Sequence, residues 1–249
     1  MGAFFASASS QRLTTTGTIP LPSTGYPFTI GFWHYPTTVA SASCFALSDP
    51  ATANFISVGR NGTNVPNMNL NAGAGGAANS LTTALTTNTW NYYLARFITS
   101  TNRWLSVLHF NGLIETVQGT TARAPTGLTN LNLGSRNDTA APSTFMDGLL
   151  GEYFLTDTDI QADGATTQNS LILQLAYGGP FSVPHIAQDI MEYHSLYSTL
   201  DTPQENLTEV YYGIRRITWV NTNGVTIGQH PSLPGNYIEP GQIKRQLVV

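Results

Sequence analysis

The 249-residue chain is 41% hydrophobic and 10% aromatic but only 10% charged, against about 25% charged residues in an average soluble domain. A net charge of −4 with Lys244 as the only lysine excludes a chain built to grip phosphate backbones, and the apolar fraction excludes one disordered from end to end. No run reaches the ~20 apolar residues of a membrane-spanning helix, and the single cysteine, Cys44, allows no internal disulfide or cysteine-based zinc site.

From residue 4 to about 160 the pattern is strands and turns. Phe28–Tyr35 mixes β-branched and aromatic residues between Pro27 and Pro36, as strands do. Asn54–Val58 reads as a strand ending at Gly59, and Pro66–Asn71 alternates polar and apolar residues with period two. The small residues Ala72–Ala78 read as a flexible turn; their Gly-x-Gly-Gly lacks the strand, helix and Lys-Ser/Thr of a phosphate loop. Trp90–Ile98 and Arg103–Phe110 form a hairpin across Thr99–Asn102, and Asn111-Gly112 turns into a further strand, Leu113–Val117. Asn130–Gly134 and Phe145–Leu155 complete an antiparallel sandwich or jelly roll over residues 1–160.

Residues 161–249 read differently. Asn169–Tyr177 carries Leu171, Ile172 and Leu175 at helical spacing and stops at Gly178-Gly179-Pro180, although a buried strand fits Leu171–Leu175 as well. Ile186–Tyr197, with Ile186, Ile190, Tyr193 and Tyr197 on one face, predicts a second helix and so a short helical hairpin. Beyond it lies an extended C-terminal arm rich in Asn, Pro and Gly. The arm keeps Tyr211, Tyr212, Arg215, Arg216, Trp219 and Tyr237, residue types enriched at protein interfaces, which makes them the candidate partner contacts.

The strand block resembles the concanavalin A-like lectin/glucanase superfamily, in its laminin-G-like branch. The resemblance rests on Phe5–Leu13 followed by Pro27–Trp33, on Thr89–Ala95, on Leu105–Gly112, and on Leu133-Gly134 with Phe145–Phe154. It implies a jelly-roll fold shared by lectins, hydrolases and adhesion modules. Gly179–Ile186 and Ile227–Pro234 look similar to segments appended to lectin-like structural proteins of tailed bacteriophages. Laminin-G-like relatives that bind calcium at a loop rim extend that option to the acidic stretch Thr156–Gly164; an acidic turn capping the next helix is the preferred reading.

A glucanase of this superfamily needs paired carboxylates about 5–5.5 Å apart. Asp147 and Glu152 are five residues apart, on opposite faces of a strand, so no catalytic pair is expected. There is no Gly-x-Ser-x-Gly elbow and no His-Glu-x-x-His, and Glu192 and His194 point apart on a helix. Sugar binding needs an aromatic face beside polar groups; Trp104, Tyr92, Arg103 and Asn102 lie around one hairpin, though strand tryptophans are more often core. Met1–Ser10 lacks the basic start and apolar core of a signal peptide. The expectation is a non-enzymatic virion structural protein, a capsid decoration, cement or fibre component. It would need no cofactor and would bind neighbouring virion subunits and its own copies through the arm. The alternative is a glycan-binding, receptor-recognition module touching surface polysaccharide.

Overall fold

A computed structural model of the chain describes residues 3–14, 26–49, 51–73, 75–138, 141–160, 168–178, 190–194, 212–213 and 216–217. In chain order the strands are β1 (Ala3–Phe5), β2 (Leu13–Thr14), β3 (Phe28–Pro36), β4 (Ala42–Ser48), β5 (Phe55–Arg60), β6 (Pro66–Ala72), β7 (Gly75–Ser80), β8 (Asn91–Thr99) and β9 (Asn102–Leu108). They continue with β10 (Ile114–Gly119), β11 (Asn130–Leu133), β12 (Arg136–Asp138), β13 (Ala141–Ser143) and β14 (Gly148–Thr156). Helix α1 (Gln168–Gly178) follows, then β15 (Ile190–His194), β16 (Tyr212–Gly213) and β17 (Arg216–Ile217).

Two antiparallel sheets make the sandwich expected from the sequence. One runs β1-β14-β3-β8-β9-β10 with β15 added to β14, and the other runs β2-β11-β4-β5-β6-β7. The pleat sends every second side chain inward. Phe28, Ile30 and Phe32 of β3 and Tyr93, Ala95 and Phe97 of β8 thus meet Phe45 and Leu47 of β4, Ile56 and Val58 of β5, and Met68 and Leu70 of β6. Phe28 stacks on Phe97 at 4.5 Å between ring centroids, and Phe32 on Tyr93 at 4.9 Å.

Asn169–Tyr177 does form a helix. Leu171, Ile172, Leu175 and Ala176 of α1 bury against Tyr92, Leu94, Leu108 and Phe154 on the outer face of the seven-stranded sheet. The start of α1 is tied down by Gln168, whose Nε2 donates to Ser106 Oγ at 2.8 Å. Arg96 donates to Gln168 Oε1 at 2.6 Å and pairs with Asp159 at 2.7 Å. The acidic stretch therefore reaches the helix start through an arginine.

Two sequence readings are corrected. Residues 190–194, expected in a second helix, form β15, which pairs antiparallel with Tyr153–Thr156 of β14. On that edge β1 covers only Gly148–Leu150, so the rest of β14 has backbone groups to be paired, and Ile190 and Tyr193 suit a strand. Residues 75–80, read mostly as a flexible turn, form β7, paired with β6 from Ala72↔Gly75 to Asn67↔Ser80. Pairing to a formed sheet overrides the low strand propensity of Gly and Ala. The sequence carries no expectation for β4, all seven of whose residues are buried, so no alternation marks it.

Candidate functional site

The outer face of the six-stranded sheet carries the most distinctive chemistry in the described part of the molecule. Met68 and Leu70 of β6 point into the core, so the pleat turns Asn67, Asn69 and Asn71 outward. These three amides stand in one column, about 7 Å apart along the strand. Small residues flank the column: β5 places Gly59 beside Asn67 and Ser57 beside Asn69, while β7 places Gly76, Ala78 and Ser80 beside Asn71, Asn69 and Asn67. Gly59 is required there, since a Cβ would sit 2.0 Å from the Ala42 carbonyl oxygen of the neighbouring strand.

The floor ends at Phe55, the β5 partner of Asn71. The Arg136 guanidinium lies over its ring, 4.4 Å from the centroid. Arg136 is placed by the β12–β13 hairpin, which reaches the sheet through Ser48: the Asn137 N–H and Asn132 Nδ2 both donate to Ser48 Oγ at 3.3 Å. At the other end Asn61 holds its own loop, its Oδ1 accepting from Thr63 N–H, Thr63 Oγ1 and Val65 N–H. Ser41, Ala53 and these residues enclose an open groove of about 610 Å³. Among the described residues its lining has amides, one hydroxyl, one guanidinium and one phenyl ring, and no carboxylate. Asn67 is 6% exposed, and its Oδ1 is enclosed without a protein hydrogen-bond donor.

The residues singled out from the sequence fall elsewhere. Trp104 and Asn102 engage each other, the indole N–H donating to Asn102 Oδ1 at 2.9 Å, where Gln118 Nε2 also donates at 3.0 Å. Arg103 is fully buried and donates to the Ser100 and Thr121 carbonyls, and Tyr92 is buried edge-on against Trp33. These four residues are bound into the hairpin and its neighbours rather than assembled as a sugar platform. Tyr211, Arg215, Trp219 and Tyr237 lie outside the described residues. Tyr212 and Arg216 fall on β16 and β17, paired as a small hairpin, and their side chains are outside the description.

Asp147 and Glu152 also part ways. Asp147, just before β14, accepts from Ser7 N–H and Ser7 Oγ at 2.6 Å each and from Thr38 Oγ1 at 3.4 Å. Burial alone would raise its carboxyl, but these bonds and the Arg60 charge outweigh it and hold the group below the usual carboxylate range. Glu152 is 5% exposed, and burial pushes its carboxyl up to about 8. His34 is the strand residue expected, fully buried in β3, and Cys44 is a buried small hydrophobe whose thiol burial pushes up to about 12. Among the described residues no three His, Cys, Asp or Glu side chains group closely enough to hold a metal ion.

The Laminin_G_3 family profile, described as the concanavalin A-like lectin/glucanases superfamily, matches residues 7–163. The chain belongs to that superfamily. No curated protein matches it at the sequence level. Among solved structures, the lectin-like sandwich is similar to the LG1-3 region of the laminin alpha2 chain, with 12% identity, a TM-score of 0.49, and coverage of 59% of this chain and 30% of that one. It is also similar to the native heptameric SAP-like pentraxin of Limulus polyphemus, with 13% identity, a TM-score of 0.47, and coverage of 66% and 75%. A third is the Ruminococcus gnavus IT-sialidase CBM40, with 14% identity, a TM-score of 0.47, and coverage of 64% and 98%. This chain therefore spans under a third of the laminin chain it resembles.

The groove was partly legible in advance. The period-two alternation of Pro66–Asn71 already places three asparagines on one face of a strand. The signal lost was β7: without it the asparagine column is an edge, and with it a floor.

Proposed function

We propose that this member of the lectin-like superfamily is a glycan-binding module, and that the groove over β5, β6 and β7 holds an uncharged stretch of polysaccharide. Asn69 and Asn71, the half-buried members of the column above the enclosed Asn67, carry the reading. Sugar hydroxyls both donate and accept hydrogen bonds, and an amide side chain offers both partners without a charge to desolvate. Residues of strands β5 and β6 hold these amides at fixed spacing, so little conformational entropy is lost when a ligand is bound. Among the described residues the lining offers amides and no carboxylate, which favours binding over glycoside hydrolysis through a carboxylate pair.

The test is a glycan array on the full chain, followed by calorimetric titration of any neutral oligosaccharide retained. Asn69→Ala with Asn71→Ala is expected to weaken binding by roughly 10- to 100-fold, as two neutral hydrogen bonds predict. Both residues are half-buried on the outer face of the sheet, away from the core, so folding should be untouched. Unchanged affinity in a folded double variant would remove the groove from the reading.

A second reading, assembly within a virion, is supported by the low charge of the chain and by the aromatic residues beyond residue 198. Leu173 and Tyr177, one helical turn apart on α1, are 39% and 67% exposed and offer such an assembly an apolar face. Light-scattering mass of the full chain is expected to show a discrete oligomer that falls to a folded monomer when residues from 198 onward are removed. Two monomers would sink this reading and leave the glycan reading standing alone.

A further inference from the structure

One end of the sandwich interior holds a cluster of buried polar side chains. His34 of β3 and Tyr93 of β8 are fully buried there, their rings 5.7 Å apart between centroids and inclined at 66°. Arg60, at the end of β5 and 1% exposed, enters the same space from the opposite sheet. Its Nη1 donates to the Thr38 carbonyl and to Asn64 Oδ1 at 2.7 Å, and its Nη2 to the Asp147 carbonyl at 3.2 Å. The guanidinium is thus bound by carbonyl and amide oxygens, each a dipole rather than a counter-charge.

Four further polar atoms in this space have no hydrogen-bond partner in the protein: Arg60 Nε, Tyr93 Oη, and both ring nitrogens of His34. The Arg60 charge reaches both rings: burial and then that charge depress His34, while burial and then Cys44 raise the Tyr93 phenol against it. His34 is therefore neutral, with one N–H and one lone pair. The unmatched set is three donors (Arg60 Nε–H, Tyr93 Oη–H and one imidazole N–H) and two acceptors (the other imidazole nitrogen and the phenol oxygen). Leaving such groups unpaired is destabilising, and native interiors hold few of them.

We propose that this end of the interior is a hydration site, in which at least one ordered water accepts from Arg60 Nε–H and donates to the bare ring nitrogen of His34, with Tyr93 Oη completing its coordination. Water matches the set because it donates and accepts at once, and internal waters typically make about three such bonds. An inorganic anion would satisfy the donors and leave the imidazole lone pair unmet. An apolar occupant would leave all four atoms unmet.

The proposal is tested on the full chain in two ways. A crystal structure at a resolution that shows ordered water is expected to place density within hydrogen-bond distance of Arg60 Nε and a His34 nitrogen, with no anomalous peak there after a bromide soak. An empty interior, or a bromide peak, would overturn it. Independently, Tyr93→Phe removes the hydroxyl and leaves the ring stack on Phe32 in place. A hydrated phenol predicts a fall in Tm of about 2–4 °C, the shift expected for ~1 kcal/mol in a chain of this size. A dry, unpaired phenol predicts no fall or a rise, which would equally overturn the proposal.

Discussion

Glu152→Gln is expected to make the protein more stable at pH 8 and above while leaving it nearly unchanged at pH 4. The Glu152 carboxyl loses its proton near 4.5 in the unfolded chain and near 8 in the folded one, because burial disfavours the carboxylate. Between those values the folded state keeps a proton that the unfolded state has released. Unfolding therefore releases a proton, and stability falls as pH rises, by up to about 1.4 kcal/mol per pH unit. Across the window the loss is on the order of 4–5 kcal/mol, complete once the pH exceeds the folded value of about 8. Glutamine has the same shape and no proton to lose. Urea denaturation of both proteins from pH 4 to pH 9 measures the difference directly. Parallel profiles would show that Glu152 is solvated when ionised.

His34 limits the opposite flank. Burial and then the nearby Arg60 charge hold it well below its ordinary value, so the unfolded chain takes up a proton below about 6.5 that the folded chain refuses. Stability is lost as pH falls through that region, and the maximum lies between the two buried groups.

Arg60→Met is the second large effect expected, a loss of roughly 3–5 kcal/mol, since three oxygen acceptors lose their donor at about 1–3 kcal/mol for each one left unpaired. The methionine fills similar space, but the Thr38 and Asp147 carbonyls and Asn64 Oδ1 lose their donor. Those three sites lie on three separate segments, so one guanidinium ties them together. Asn64 Nδ2 also donates to the Leu85 carbonyl at 2.7 Å, which carries the disturbance a step further. Arg60→Lys should recover only part of the loss, since an ammonium cannot match a planar fork. Denaturant midpoints for the three proteins decide it; a loss under 1 kcal/mol for the methionine variant would show the carbonyls finding other donors.

The sandwich was legible where one face of a strand is wet. Pro66–Asn71 announced its period of two, and Asn111-Gly112 announced the turn ahead of β10. Legibility failed where burial or pairing comes from distant residues. All seven residues of β4 are covered on both faces, so the alternation that marks a strand is erased. β7 has little intrinsic preference to be a strand and exists because β6 offers it a ladder. β15 reads as a helix by spacing, and only the uncovered half of the β14 edge tells otherwise. An aromatic face beside polar groups reads as sugar-binding in the sequence, yet Trp104, Tyr92 and Arg103 are bound into the fold. The amide column had no motif beyond its alternation, and its value depends on a neighbouring strand 5 to 13 residues away that the sequence presents as a loop.

β14 is paired on one side along most of its length by β3, and on the other by two short strands, β1 ahead of it and β15 behind it. The same edge is thus sealed by residues 3–5 and by residues 190–194. A fragment ending where the lectin-like strands end, near residue 160, would leave the backbone of Tyr153–Thr156 unpaired on that side, a template to which a strand of another molecule can add. Any excised sandwich should therefore be carried past residue 194, so that it keeps its own seal instead of borrowing one.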